Sequence, residues 1–159
     1  MKPQLGDTIL NRYTLVSSLR EEPGIQAWKA NDRVLAKDCQ LFIITDRSAF
    51  AAIDKLAGRI AATRPDRVIP ILKYRMESDV LLIVMPVDSG QCLTDYMVDT
   101  AKPLSYSAIR SIIGECADVL REVIADTPSG IVITTDTVRV TTSGVQIADA
   151  PCALSLIHI

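Results

Sequence analysis

Residues 12–45 read RYTLVSSLREEPGIQAWKANDRVLAKDCQLFIIT and decide the fold of the first half of the chain. Arg12–Leu19 and Ile25–Ala30 are short runs of β-type residues, and the Pro23-Gly24 pair between them is a strong turn signal. The two runs therefore predict a hairpin. Cys39–Thr45 is a nearly continuous apolar run, which is typical of a strand buried on both faces.

The segment that follows predicts one helix and two more strands. Ser48–Thr63 carries apolar residues at three- and four-residue spacing, and Asp46 or Ser48 can cap its first turn. Val68–Met76 and Val80–Val87 are strand-like runs joined by a short polar turn. We therefore expect an α+β fold in which a five-stranded antiparallel sheet carries one inserted helix.

The second half of the chain predicts helices and then a hairpin. Tyr106–Ala125 has an apolar stripe over about five turns, and Ser105 or Ser107 can cap it. A shorter helix precedes it. Three short β-type runs follow, at Ile131–Ile133, Val138–Val140 and Val145–Ile147. Ser143-Gly144 lies between the last two runs and predicts a hairpin turn.

The composition is that of a folded globular chain. Of 159 residues, 48% are hydrophobic, and 17 basic against 19 acidic side chains leave a net charge of −2. These values exclude a disordered chain and disfavour a nucleic-acid-binding protein, which would carry a basic stripe. No apolar run reaches the roughly 18–20 residues that span a bilayer. We expect a cytoplasmic segment without membrane contact of its own, in a full-length protein that can be membrane-linked elsewhere.

The cysteines and the carboxy-terminal residues do not predict a site. The four cysteines lie at positions 39, 92, 116 and 152, without metal-site or disulfide spacing, and we expect reduced thiols. Leu154–Ile159 (LSLIHI) equals one translation of a common sequencing-library adapter, so we interpret residues 154–159 as an artefact. This removes His158, the only histidine, as a candidate base or ligand. The alternative is a genuine apolar strand.

In order and spacing, these segments resemble a bacterial protein of the eukaryotic-type serine/threonine protein kinase family. In the first half, RYTLV at 12–16 is similar to the first kinase strand, Leu19–Asp32 fits the pattern L-G-x-G-x-x-G-x-V-W-x-A-x-D, and Asp32–Ile44 fits the strand that ends V-A-L-K-V-L. Met85 then falls at the gatekeeper position, and Pro86 and Val87 fall on the hinge. Further on, Gly90–Tyr96 (GQCLTDY) resembles the entry to the next helix, and Ser129–Val132 with Val145–Ala150 resemble the strand segments around the catalytic and metal-binding loops. The resemblance implies a lead-in at 1–11, a kinase-like N-lobe at 12–87 and the truncated start of a helical C-lobe at 88–153.

The phosphate-binding loop of the family is degenerate in this chain. Its three glycines let backbone N–H groups approach the ATP phosphates, and their positions read Arg20, Glu22 and Ile25. The carboxylates of Glu21 and Glu22 would repel a polyphosphate. The resemblance therefore implies a loop that has lost its usual role.

The lysine of the third kinase strand, which holds the phosphates, falls on Phe42, and an aromatic ring has no donor for phosphate. Its helix partner is missing too, because no glutamate occurs between Glu22 and Glu77. Asp54 is the only acid in the predicted helix, and we interpret it as solvent-facing.

The catalytic and metal-binding loops are also changed. Ile133–Thr137 (ITTDT) stands where the catalytic base and its asparagine should lie, and we interpret Asp136 as a turn residue rather than a displaced base. The D-F-G motif corresponds to Asp149-Ala150-Pro151. Asp149 is at most a vestigial metal ligand, since no second ligand accompanies it.

These departures predict a pseudokinase with no catalytic residues and no cofactor, which acts by binding an unidentified protein partner. The resemblance to a subgroup associated with the actinobacterial peptidoglycan lipid flippase implies a role in cell-envelope regulation. In a complete kinase fold, other helices would cover the stripe of the long helix. We therefore expect an exposed apolar patch on this chain.

Two alternatives remain open. The first is an active kinase in which Lys29 or Lys37 replaces the missing lysine, although both are typical surface lysines. The second is a nucleotide-binding switch without phosphoryl transfer, in which ATP, with or without Mg²⁺, uses an adenine pocket. The candidate pocket residues are Ala27, Leu41, Met85 and Val87.

Overall fold

The computed structural model describes residues 3–77, 79–99, 104–124, 133–150 and 152. The chain divides into two compact units. The first unit contains the residues up to Ala61 together with Pro70–Val87, and the second contains Ala62–Ile69 together with the residues from Asp88 onward.

An antiparallel sheet of six strands forms most of the first unit, in the order β1-β2-β3-β4-β6-β5. The strands are β1 (Thr8–Ile9), β2 (Tyr13–Glu22), β3 (Ile25–Asp32), β4 (Lys37–Ile44), β5 (Lys73–Glu77) and β6 (Val80–Pro86). The helix α1 (Phe50–Thr63) is inserted between β4 and β5. The predicted α+β class is confirmed. The sheet has one strand more than the five predicted, because the two-residue edge strand β1 lies within the lead-in.

One predicted strand is shorter than the sequence indicated. Val68–Met76 was expected to be continuous, but β5 begins only at Lys73. Val68 instead forms an isolated parallel bridge with Ile147, inside the second unit. Pro70 lacks the backbone N–H that a continuous ladder would use.

The two faces of the six-stranded sheet carry separate apolar layers, because side chains alternate along a strand and paired residues share a face. The Trp28 face consists of Tyr13, Leu15, Trp28, Ala30, Cys39, Leu41, Ile43, Leu82 and Val84. The Phe42 face consists of the alternate positions Ile25, Ala27, Phe42, Ile44, Leu81, Ile83 and Met85.

Helix α1 packs on the Phe42 face. Tyr74 pairs with Ile83 of that face, and its hydroxyl would lie 3.3 Å from a Cβ built on Gly58 of α1. Ile53, Leu56, Ala57 and Ile60 form the buried side of the helix. Asp46 Oδ1 accepts hydrogen bonds from the backbone N–H (2.9 Å) and the hydroxyl (2.6 Å) of Ser48, which orders the turn before the helix.

The second unit contains a three-stranded sheet and two helices. Its elements are β7 (Gln91–Cys92), α2 (Leu93–Asp99), α3 (Tyr106–Ile124), β8 (Val138–Thr141) and β9 (Gly144–Ile147). The backbone N–H of Ala108 donates to Ser105 Oγ over 3.2 Å, so the serine caps α3 as predicted. No helix among the described segments is long and apolar enough to cross a membrane.

Glu115 fixes α3 to the last hairpin. Its Oε2 accepts hydrogen bonds from the backbone N–H of Val145 (2.8 Å) and from Arg67 (3.2 Å). The neighbouring Gly144 has a φ of +123°, and a Cβ there would lie 2.5 Å from the same oxygen. The hairpin turn therefore requires glycine at this position.

Much of the apolar stripe of α3 is exposed. Ile113 is 63% exposed and Ile109 is 41% exposed. Of the α3 side chains that the structure describes, Val119 alone is fully buried. The predicted apolar patch is therefore present on this helix.

A partly buried ion pair closes the β2–β3 hairpin at its open end. Arg12 donates to Asp32 from Nε (2.8 Å to Oδ1) and from Nη2 (2.6 Å to Oδ2). Asp32 also accepts the backbone N–H groups of Val34 and Leu35. Its hydrogen bonds, with Arg12 the largest contributor, lower the pKa of Asp32 from 3.8 to about 2.

We predict that Asp32→Asn lowers the free energy of unfolding by about 1–2 kcal/mol at neutral pH. A carboxyl group whose pKa is lowered by folding stabilises the protein above its unfolded-state pKa. The wild type should therefore lose this contribution as the pH falls from about 4 to about 2.

Urea denaturation at a series of pH values measures both effects. Asp66→Asn, an equal charge change at an exposed position, is the control. An acid dependence that is as steep in Asp32→Asn as in the wild type would contradict the assignment.

Candidate functional site

The tip of the β2–β3 hairpin occupies the position of the kinase phosphate-binding loop. Glu22 pairs directly with Ile25, so only Pro23 and Gly24 form the turn. Gly24 has a φ of +79°, its carbonyl accepts the N–H of Thr45 over 2.8 Å, and a Cβ would lie 2.6 Å from that of Asp46. Here the glycine allows close contact with the protein's own chain.

The three degenerate loop positions interact within the protein. Arg20 Nε lies 3.2 Å from Glu22 Oε1 in an ion pair along β2. Arg20 pairs with Ala27 and Glu22 pairs with Ile25, so both side chains lie on the Phe42 face. Ile25 is 1% exposed and belongs to the core. The cation of Arg20 is therefore already neutralised by a carboxylate beside it.

Phe42, which the sequence resemblance aligns with the lysine of the kinase family, is completely buried. It pairs with Ala27 on one side and Ile83 on the other. It belongs to a run of six consecutive buried residues, Cys39–Ile44, so β4 faces apolar layers on both sides. An ammonium group at position 42 would lie in apolar surroundings, and the α1 sequence offers Asp54 alone as an acidic partner.

The four predicted adenine-pocket residues do not share one surface. Ala27 and Met85 lie on the Phe42 face and are 3% and 1% exposed. Leu41 lies on the Trp28 face, because it pairs with Trp28 and Val84, so it cannot contribute to the same pocket. Val87 follows the end of β6 and is 44% exposed.

The two lysines considered as replacements have different surroundings. Lys29 lies on the Phe42 face by alternation, and its Nζ is 2.9 Å from Asp38 Oδ2. Lys29 and Asn31 lower the pKa of the Asp38 carboxyl. Lys37 pairs with Asp32, which places it on the Trp28 side at the start of β4, and it is exposed.

A closed threonine turn stands in the region of the kinase catalytic loop. The backbone N–H of Thr134 donates to Thr137 Oγ1 over 2.9 Å, and the N–H of Thr137 donates to Thr134 Oγ1 over 3.3 Å. Asp136 Oδ1 accepts a 2.7 Å hydrogen bond from Thr94. The turn assigned to Asp136 is confirmed by this geometry. Ile131 and Val132 lie outside the described residues.

Asp149 lies in a turn that follows β9. Its φ is +55°, and its carbonyl accepts the N–H of Cys152 over 2.8 Å. The flanking Ala148 and Ala150 are buried, whereas Pro151, Ala153 and the adapter-like residues 154–159 lie outside the described part of the chain. Within that part, no group of three acidic, histidine or cysteine side chains could hold a metal ion.

The four cysteines are free thiols. Burial raises the pKa of Cys39 to about 11, which leaves it protonated at neutral pH. Cys92 Sγ contacts the carbonyl of Thr135 at 3.4 Å. These placements give the thiols packing roles.

The structure also contains polar pairs that sequence reasoning missed. Arg139 Nε is 2.5 Å from Asp88 Oδ2, and its guanidinium also donates to the carbonyl of Asp136. Asp88 and Arg139 are 51 residues apart, so no local pattern indicates the pair. The Arg20–Glu22 pair, by contrast, has the two-residue spacing that places side chains on one face of a strand.

Comparison with known proteins identifies the fold. No family model and no curated protein sequence matches the chain. The Mycobacterium tuberculosis PknI kinase domain matches with a TM-score of 0.70 at 18% identity, over 94% of this chain and 62% of that chain. PpkA-294 in its apo form matches with a TM-score of 0.75 at 11% identity, over 94% of this chain and 62% of that chain. Rad53 1-466 in complex with AMP-PNP matches with a TM-score of 0.73 at 15% identity, over 87% of this chain and 38% of that chain.

The chain therefore has a protein-kinase-like fold. It corresponds to an N-lobe followed by the start of a C-lobe, and it spans about 62% of the length of the PknI kinase domain that it matches. At these identities the likeness establishes the fold, and the activity must be argued from the residues themselves.

We predict that Phe42→Lys, which restores the residue type of the family, unfolds or strongly destabilises the protein and creates no nucleotide affinity. Burying an ammonium group between Ala27 and Ile83 should cost more than about 3 kcal/mol. Phe42→Leu, which only removes volume, should cost about 1–2 kcal/mol.

Chemical denaturation and ATP-dependent thermal shifts measure these effects. A folded Phe42→Lys variant whose melting temperature rises on addition of ATP would show that the position still faces a nucleotide site.

Proposed function

We propose that this chain is a catalytically inactive protein-kinase-like domain that acts as a regulatory protein-interaction module. The observation that carries the proposal is the complete burial of Phe42 in an apolar layer, where phosphoryl transfer would require a cation. Phosphoryl transfer depends on positioned charges, and this position supplies none.

The other degenerate positions support the same conclusion. The hairpin tip is a two-residue turn held by Thr45, and Arg20 is paired with Glu22. The Thr134–Thr137 turn uses its hydroxyls internally, and Asp136 accepts a hydrogen bond from Thr94. If each of three lost groups costs about 10²-fold in rate, the loss approaches about 10⁶-fold.

A nucleotide-binding switch is the second candidate function. Ala27 and Met85 remain on one face of the sheet, where an adenine ring needs an apolar surface. An active kinase is less well supported, because Lys29 is bound to Asp38 and Lys37 belongs to the other face.

The partner we propose is a protein of the cell envelope, with the domain on the cytoplasmic side. The resemblance to the kinase-like domain associated with the peptidoglycan lipid flippase supports this assignment. Co-purification of the domain with the flippase of the same genome, against an unrelated membrane protein, tests it. Equal recovery of both membrane proteins would overturn it.

Titration with a fluorescent ATP analogue, with and without Mg²⁺, tests the loss of nucleotide binding. We expect no saturable binding at millimolar nucleotide and no phosphoryl transfer to a general substrate. The PknI kinase domain can serve as the reference.

The two alternatives give different results in this experiment. Micromolar binding without transfer would replace the proposal with the nucleotide switch. Transfer that depends on Mg²⁺ and is lost in Lys29→Met would establish an active kinase with a relocated lysine.

A further inference from the structure

A cavity of about 650 Å³ opens on the Trp28 face of the six-stranded sheet. Ile43 and Leu82 of the sheet line it, and Ile9, Leu10 and Val80 pack beside them. Its volume lies within the range of about 300–1,000 Å³ that is usual for small-molecule sites. This face is opposite to Phe42, whereas residues 22–25 of the hairpin tip border the cavity.

The lead-in builds one wall of the cavity in a defined conformation. Gly6 N donates to the carbonyl of Leu15, and Leu15 N donates to the carbonyl of Asp7, both over 2.9 Å. Leu10 and Asn11 then both have positive φ values, 53° and 55°. Left-handed backbone at a leucine is unfavourable, so other contacts must compensate for it where the chain turns at the cavity.

The rim of the cavity is acidic. Glu21 pairs with Gln26, and Glu77 pairs with Val80, which places both carboxylates on the Trp28 side. Glu22 also borders the cavity, and among the residues that the structure describes, from Pro3 onward, no lysine or arginine lines it. An apolar interior with a carboxylate rim favours a ligand that has an apolar body and a positive end.

We propose that this cavity is a binding site for a small organic cation with a hydrocarbon or aromatic body. The body would lie against Ile43 and Leu82, and the ammonium group would lie between the carboxylates of Glu21 and Glu77. The proposal goes beyond the interaction function and does not depend on it.

Two of the rim carboxylates already belong to ion pairs, Glu22 with Arg20 and Glu77 with Arg75, and the proposed ammonium position involves only the second pair. Glu77 is 3.0 Å from Arg75, and their side chains are 43% and 56% exposed. Exposed pairs of this kind contribute little to stability, so the carboxylate can exchange its partner at little cost. A neutral ligand would gain only the apolar contacts, and an anionic ligand would be repelled.

Three probes with the same body separate these contributions. 4-Phenylbutylamine is cationic, 4-phenylbutanol is neutral and 4-phenylbutyrate is anionic at neutral pH. We expect the amine to bind the full chain about tenfold more tightly than the alcohol, and the acid not to bind, in calorimetric or NMR titrations. Equal affinity of all three probes, or no binding of the amine, would overturn the proposal.

Two sets of variants place the binding in the cavity. Glu21→Gln combined with Glu77→Gln should reduce the affinity for the amine to that for the alcohol, whereas Glu122→Gln, an exposed site in α3, should change nothing. Val80→Phe should narrow the cavity and weaken both probes. Because the glutamine substitutions lie at the rim, folding should be retained, and amine binding that they leave unchanged would overturn the proposal.

Discussion

The strand β4 is buried on both faces, and this constraint governs the whole first unit. Six consecutive residues, Cys39–Ile44, have no access to solvent beyond a few percent. A charged side chain on such a strand is stable only with a buried partner of opposite charge. Phe42 needs no partner, and it lies beside Ala27 of β3 and Ile83 of β6. A lysine at this position would need a buried acid nearby, and the α1 sequence contains no glutamate.

The same constraint explains which parts of the fold were readable from the sequence. A doubly buried strand is a continuous apolar run, and α3 has a long stripe, so both were predicted correctly. β1 was missed because two residues carry no periodic signal. Val68, the first residue of the predicted Val68–Met76 strand, pairs instead with Ile147, which is 79 positions away. No local sequence pattern shows that contact.

The candidate site could be predicted only in part, for a related reason. Motif spacing selected Phe42 and the hairpin tip as site positions, and their assignment to the kinase motifs stays a prediction. The same spacing also grouped Leu41 with Ala27 in one pocket. Ala27 pairs with Phe42, the neighbour of Leu41, so the strand register places Leu41 and Ala27 on opposite faces of the sheet. The Thr134–Thr137 turn depends on hydrogen bonds that the letters ITTDT do not specify.

The acidic pair at the hairpin tip is divided between the two faces of the sheet. Alternation places Glu22 beside Arg20 on the Phe42 side and Glu21 on the Trp28 side, and both residues border the cavity. A loop that must hold phosphate cannot keep either carboxylate, because both would repel the ligand. In this chain the Gly24 carbonyl accepts the N–H of Thr45, which fixes the turn against the protein's own chain. Ligand binding on the Trp28 face requires no catalytic group on the Phe42 face.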